Sequence, residues 1–253
     1  MLRIGQGVAI TSNPFDLENN HRNTAYGSRL LSSTLLMLNY KKPNIIGKVG
    51  FQTGVTLLHY SNANIKAPNA STNSFTFNFG LNYQLEKAAL PAYIPQQKTR
   101  FSEPLKFNLV LRSGVNESDY VNLGQEPFLI VSSFLDKRIN HKSTLQAGVD
   151  FFFSKFLQRE IEYRALAFDE FDLAGDEDWK RIGLFVGHEL RFNKNAFVTQ
   201  VGYYAYYPYE FENRIYFRGG LKRYFTKNIF ASVTLKSHYA KAEAVEFGLG
   251  IRL

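Results

Sequence analysis

From Asn73 to Leu85 the chain reads NSFTFNFGLNYQL, and it alternates without a break. Phe75, Phe77, Phe79, Leu81, Tyr83 and Leu85 fall on one side, and Thr76, Asn78, Gly80, Asn82 and Gln84 on the other. A side-chain period of two belongs to a β-strand, so this stretch is a strand with one apolar and one polar face. The carboxyl-terminal stretch repeats the pattern. Val245, Phe247, Leu249, Ile251 and Leu253 share one face, and Glu246, Gly248, Gly250 and Arg252 share the other. Twelve segments read as strands, over about 1–10, 28–41, 44–61, 73–86, 105–116, 122–136, 143–157, 180–192, 196–208, 213–225, 229–239 and 243–253. Several alternate over roughly ten residues, the length a tilted strand needs to cross a bilayer.

Composition says which solvent those faces meet. Aromatic residues make up 15% of the 253, with 23 Phe and 15 Tyr against a single Trp. Mean hydropathy is nevertheless slightly negative, −0.24. No apolar run reaches the roughly 18 residues of a membrane-spanning helix. An aromatic-rich, hydropathically neutral chain suits a transmembrane β-barrel, where half of each strand faces lipid and half a polar interior. A soluble β-sandwich or lipocalin-like barrel shares part of this signature. The expected fold is all-β: one domain over 1–253, a closed antiparallel transmembrane β-barrel of about twelve strands with both ends periplasmic. Closure is required because an open edge cannot sit in lipid.

The connections support this reading. KKPN, KRINHK, FNKN and TKN are short and basic, while 11–27, 62–72, 117–121, 158–179 and 209–212 are longer or more polar. Short turns on one side and long loops on the other are the asymmetry of outer-membrane barrels. The stretch 87–104 is the exception; it holds three prolines and reads as irregular structure. The stretch 158–179 carries eight acidic residues, which could hold divalent cations but read first as a solvated loop.

Net charge is +8. The basic residues come in ones and twos at strand ends, as at Lys41-Lys42 and Lys137-Arg138, with no basic stripe of interleaved aromatics. Nucleic acid is therefore not the expected partner, and a surface of phosphorylated glycolipid accounts equally well for the charge. There is no cysteine, so thiolate chemistry and disulfides are excluded. The opening MLRIGQGVAI lacks a basic region followed by an apolar core, so an exported form would carry the numbering of a mature chain or an incomplete reading frame. No metal-site pattern and no cofactor motif is present.

The chemistry-bearing stretch is HYSNANIKAPNASTN, residues 59–73. Val49, Phe51, Thr53, Val55 and Leu57 define the apolar face of their strand, and the same parity reaches His59 and Ser61. Asn73 has the parity of Phe75 on the next strand. A hairpin would bring His59, Ser61 and Asn73 together at the lipid-facing outer rim, at the end next to the long loop. Interfacial polar residues in contact with headgroups would look the same. A serine nucleophile with its base, aimed at an acyl chain in the membrane, is the sharper reading. Two other places carry titratable side chains of note. His238 shares an inward set with Lys236 and Thr234, with Glu243 and Glu246 beyond a tight turn, as in a lumenal polar network. His188 and Glu189 are adjacent and so face opposite ways.

The stretch resembles the signature of the outer-membrane lipid A 3-O-deacylase family, also described as acyloxyacyl hydrolase-like. The match rests on His59, Ser61, Asn62, Ala63, Lys66, Pro68 and Asn69. With NPFDLENNHRNTAYGSRL and LKSHYAKAEAVEFGLGIRL, it extends to longer relatives of the Bacteroidetes type, strongly at 12–85 and more loosely at 144–253. The resemblance implies a bacterial outer-membrane enzyme acting on lipid A or lipopolysaccharide in the outer leaflet, with no cofactor and no specified protein partner. It implies His59 as general base, Ser61 as nucleophile, and an oxyanion site from Asn62 and the adjoining turn. Two positions depart from the family: Asn73 stands where it has a glutamate, and Asn64 where a glycine is usual. Asn73 would orient the imidazole by accepting a hydrogen bond, and Glu86 lies too far along its strand to do so. The family's small barrels have eight strands with this hairpin last. Its early place here implies an enlarged or rearranged barrel, or a chain lacking an N-terminal portion. The alternative is a non-catalytic outer-membrane barrel, a structural partner or small channel, that keeps a degenerate hairpin.

Overall fold

The computed structural model describes residues 1–85, 101 and 103–253; Glu86 and most of the proline-bearing 87–104 stretch lie outside the described residues. The described residues form twelve strands: β1 (Leu2–Ile10), β2 (Leu30–Ile46), β3 (Val49–Ser61), β4 (Thr72–Tyr83), β5 (Lys106–Asn116), β6 (Glu126–Arg138), β7 (Ser143–Ser154), β8 (Arg181–Phe192), β9 (Asn195–Tyr206), β10 (Ile215–Tyr224), β11 (Ile229–His238) and β12 (Lys241–Arg252). They fall into two compact units, Met1–Asn62 with Asn69–Thr99, and Ala63–Pro68 with Arg100–Leu253.

The first unit is a four-stranded antiparallel sheet in the order β1-β2-β3-β4. The turn expected at KKPN is displaced. β2 runs on to Ile46, the pairing shifts between Lys42 and Ile46, and the chain reverses at Gly47, whose φ is +59°. Pro43 has no N–H to give a ladder, so it sits inside this irregularity with Asn44 at φ 54°. The β3–β4 register sets Leu57 against Phe75 and His59 against Asn73.

The second unit is a closed barrel of eight strands in the order β10-β11-β12-β5-β6-β7-β8-β9. This corrects the expected single wall of about twelve strands. β12 pairs directly with β5, from Phe247 opposite Ser113 to Arg252 opposite Asn108, so the wall closes without β1–β4. Eight strands enclose a space just wide enough for side chains to fill, and here they fill it.

The filling is mixed: charged side chains lie among buried aromatic ones such as Phe152, Tyr204, Tyr216 and Phe230. Asp150, Arg218, Lys236 and Glu246 are at most 1% exposed, whereas Leu249 and Phe247 on the outer face are more than 60% exposed. Arg218 donates to Glu246 at 2.6 Å and to Asp150 at 2.8 Å, and Arg112 lies within 4.0 Å of Asp150. Arg181 and Lys236 both reach Glu243, at 2.6 and 2.7 Å. His238 joins this inward set with Nε2 3.1 Å from the Tyr204 hydroxyl, as its parity predicts. Lys222 and Tyr224 reach Glu189 at 2.9 and 2.8 Å, so Glu189 faces inward. Charge inside and bare apolar side chains outside invert the arrangement of a protein surrounded by water.

One helix departs from the sequence reading. The seventh strand ends at Ser154, not 157, and α1 (Lys155–Ala167) comes next, occupying part of the expected solvated loop. Its buried face is Phe156, Leu157, Glu160 and Ile161, packed with Tyr209 and Phe211 from the β9–β10 connection. Leu157 and Ile161 lie four apart, the helical spacing. That apolar stripe is short and stands beside a run of acidic residues, so the segment reads as solvated when taken alone.

Candidate active site

The site begins at the end of β3. His59 and Ser61 are two residues apart and share a face of the strand. β4 runs antiparallel beside it with Asn73 directly opposite His59. His59 Nδ1 and Asn73 Oδ1 are 2.8 Å apart. An amide oxygen only accepts, so Nδ1 carries the proton in this pair and Nε2 of the neutral ring keeps its lone pair. The structure therefore joins His59 to Asn73, as the hairpin parity predicts.

Ser61 and Asn62 converge on Asn69, a residue to which the sequence assigns no role of its own. The Ser61 hydroxyl donates to Asn69 Oδ1 at 3.0 Å, and the Asn62 backbone N–H donates to the same oxygen at 3.0 Å. The next two residues anchor Asn69. Ala70 N–H bonds Thr24 O at 3.1 Å and Ser71 N–H bonds Ala25 O at 3.2 Å, tying this stretch to the β1–β2 connection. The signal for Asn69 is its place in the PN pair of the motif, but a loop asparagine announces no partner without the fold. Ser61 and Asn62 are buried, His59 is half-buried and Asn73 exposed. The nucleophile candidate is thus shielded, while its base candidate lies at the surface of the sheet.

The turn at residues 63–68 belongs to the barrel unit. Ala63 and Asn64 have φ of 54° and 62°, two successive non-glycine residues in the left-handed region. Asparagine tolerates that region better than most residues, which accounts for Asn64 where glycine would be easier. The Asn64 side-chain amide donates to the Glu117 carbonyl at 2.9 Å.

Two family matches together cover most of the chain. Residues 1–82 match the family described as lipid A 3-O-deacylase (PagL), and residues 105–253 match the one described as acyloxyacyl hydrolase, C-terminal domain. No match was found among curated proteins. Among solved structures, two mutants of the Rh. blastica porin align over the whole of both chains at 9% and 10% identity, with TM-scores of 0.24. A likeness at that level says nothing further about this chain.

Proposed function

Given that the chain belongs to the lipid A 3-O-deacylase family, a family of outer-membrane hydrolases, we propose that it is a serine esterase removing an ester-linked acyl chain from lipid A in the outer leaflet. The barrel spans the outer membrane, with the exposed apolar belt of its outer face against lipid and the polar interior away from it. The observation that carries the catalytic reading is the 2.8 Å pair between His59 Nδ1 and Asn73 Oδ1, set by strand register, with Ser61 two residues along the same face.

Those atoms define the steps. The Ser61 hydroxyl turns its proton from Asn69 Oδ1 to His59 Nε2, and Oγ attacks the ester carbonyl carbon. The carbonyl π pair moves to oxygen. Asn62 and Asn64 are the proposed oxyanion residues. Collapse breaks the bond to the sugar oxygen, which takes the proton from His59 and leaves as the alcohol. Water then enters and attacks the acyl carbon as it loses a proton to the same imidazole, which passes that proton to Ser61 Oγ as the bond to the acyl group breaks and the fatty acid leaves. Asn73 holds the ring in the required tautomer throughout. As a neutral amide it does not stabilise the imidazolium by charge, and this separates the site from one with a carboxylate in the same place.

Mass spectrometry of lipid A from cells with and without the protein tests the proposal. The expected result is loss of one hydroxyacyl mass when the protein is present, abolished by Ser61→Ala. An unchanged lipid A profile with the wild-type chain correctly inserted overturns it and leaves the non-catalytic barrel.

A further inference from the structure

His188 belongs to the barrel unit and takes no part in the proposed chemistry. Its neighbour Glu189 reaches inward to Lys222 and Tyr224, so His188 lies on the outer face of β8. It shares a cross-strand row with Leu145 and Thr199, and the next row is Ala147, Val186 and Val201. These two rows form a groove of about 440 Å³, lined by Leu145, Val186, His188, Thr199 and Val201. The register accounts for it. Short side chains lie between longer ones, Leu184 with Tyr203 at one end and Leu190 with Phe197 at the other. The second of those boundary rows continues to Ser143 on β7. Serine is small, so the groove is lowest there, beside the exposed Lys142 of the β6–β7 turn.

The imidazole is the exception in a mainly apolar groove. In either neutral tautomer it offers one donor and one acceptor. Thr199 bonds the His188 carbonyl and not the ring, and among the described residues no partner reaches the imidazole. On a face that meets hydrocarbon there is no water to serve instead, so a polar group there is costly unless something else pairs with it. His188 is four residues from the end of β8, roughly 13 Å along a tilted strand. That depth is below the level of lipid phosphates. Lys142 is three residues from Leu145, at the end of the wall, and among the described residues only its backbone is engaged, by Asn140 Oδ1 and the Arg191 N–H. Lys194 in the β8–β9 turn is exposed as well. Neither turn, 139–142 or 193–194, contains a carboxylate, so this end of the groove suits an anion.

We propose that this groove binds one phospholipid of the periplasmic leaflet. An acyl chain lies across Val186 and Val201, the His188 ring N–H donates to an ester carbonyl of the glycerol backbone, and Lys142 pairs with the phosphate. Along the wall the contacts run from apolar to imidazole to ammonium. A phospholipid runs from chain to ester to phosphate in the same order. The leaflet follows from the short turns, which face the periplasm in outer-membrane barrels. This rests on the reading of the barrel as membrane-spanning, and ester hydrolysis is not needed for it.

The test is native mass spectrometry of the full chain in detergent, titrated with phosphatidylglycerol, phosphatidylethanolamine or lipid A. Heat-modifiable migration first selects folded protein for each variant. Wild type is expected to retain one phospholipid. His188→Leu and Lys142→Ala should each weaken its binding about 10-fold, the scale of one lost hydrogen bond or ion pair. Val201→Phe fills the groove, leaves both polar groups in place, and should abolish the retained lipid. Equal binding by wild type and all three variants overturns the proposal and leaves only unspecific lipid around the barrel. Tighter binding of lipid A than of either phospholipid also overturns it, since lipid A belongs to the opposite leaflet. Orientation is read separately. The chain has no cysteine, so Asn193→Cys places a single thiol in the β8–β9 turn, and a membrane-impermeant maleimide should label it only after the outer membrane is opened. If binding fails while the labelling comes out as expected, the membrane-spanning reading stands without this site. Labelling in intact cells overturns the orientation itself, and the proposal falls with it.

Discussion

Asn73 is the residue on which the proposed chemistry turns. Its Oδ1 lies 2.8 Å from His59 Nδ1, which suffices to fix a tautomer but brings no negative charge to the ring. Asn73→Ala removes the acceptor and lets the imidazole present either nitrogen to Ser61. The expected loss is on the order of 10- to 100-fold in kcat, between losing orientation and losing the base. Asn73→Glu restores an acceptor of similar reach and adds charge, so activity should be retained or increased. Release of fatty acid by the purified variants decides the matter. Loss of activity in Asn73→Glu, or none in Asn73→Ala, would show that His59 is oriented by some other group.

Among the elements, α1 illustrates how a loop between barrel strands acquires structure. Phe156, Leu157 and Ile161 seat it on Tyr209 and Phe211, and the same face buries Glu160, which accepts from the Ser118 hydroxyl at 2.8 Å and the Tyr209 hydroxyl at 3.0 Å, with Arg164 at 3.3 Å. Burial pushes the Glu160 carboxyl above its ordinary value, against the pull of Ser118, Arg164 and Tyr209. A carboxyl raised in the folded state binds its proton more tightly there than when unfolded. Its favourable contribution is therefore complete below the ordinary glutamate value of 4.5 and is lost as pH rises through the raised one. Glu160→Gln, which cannot ionise, should flatten the fall in helix protection above that point. Amide exchange of α1 across pH 4 to 8, in wild type and variant, reads this out. A steeper fall in the variant would reverse the sign.

The barrel as a unit is filled, not open. Arg218 sits between Asp150 and Glu246, Glu243 between Arg181 and Lys236, and Arg252 against Asp136 at 2.7 Å. Ions have no continuous aqueous path where such pairs occupy the interior of an eight-stranded barrel. Purified protein in planar bilayers should therefore show no conductance steps, and regular steps would favour the channel alternative over the esterase. The same pairs hold the barrel together. Asp150→Ala leaves Arg218 and Arg112 partly uncompensated in the interior, and the cost of breaking a buried pair from one side is about 3–5 kcal/mol. Urea unfolding of the barrel in lipid should shift by that much, and a shift near zero would mean that water reaches the interior.

Alternation marks several strands clearly and assigns their residues to faces, because a period of two is a local property of extended backbone. Thus Leu249 is placed outside, Glu246 and His238 inside, and His59 opposite Asn73, from the order of residues alone. The motif around Ser61 is also legible, since its residues are close in sequence. Closure is not legible. Whether β12 meets β5 or some other strand depends on pairings more than a hundred residues apart, and alternation is identical for eight strands and for twelve. The helix after β7 is obscured for a related reason, since its apolar face has meaning only against Tyr209 and Phe211 from another connection. Asn69 is least legible of all. It acts by offering one side-chain oxygen to the Ser61 hydroxyl and the Asn62 N–H, bonds that any asparagine could make, and only the folded chain decides which donors come within about 3 Å.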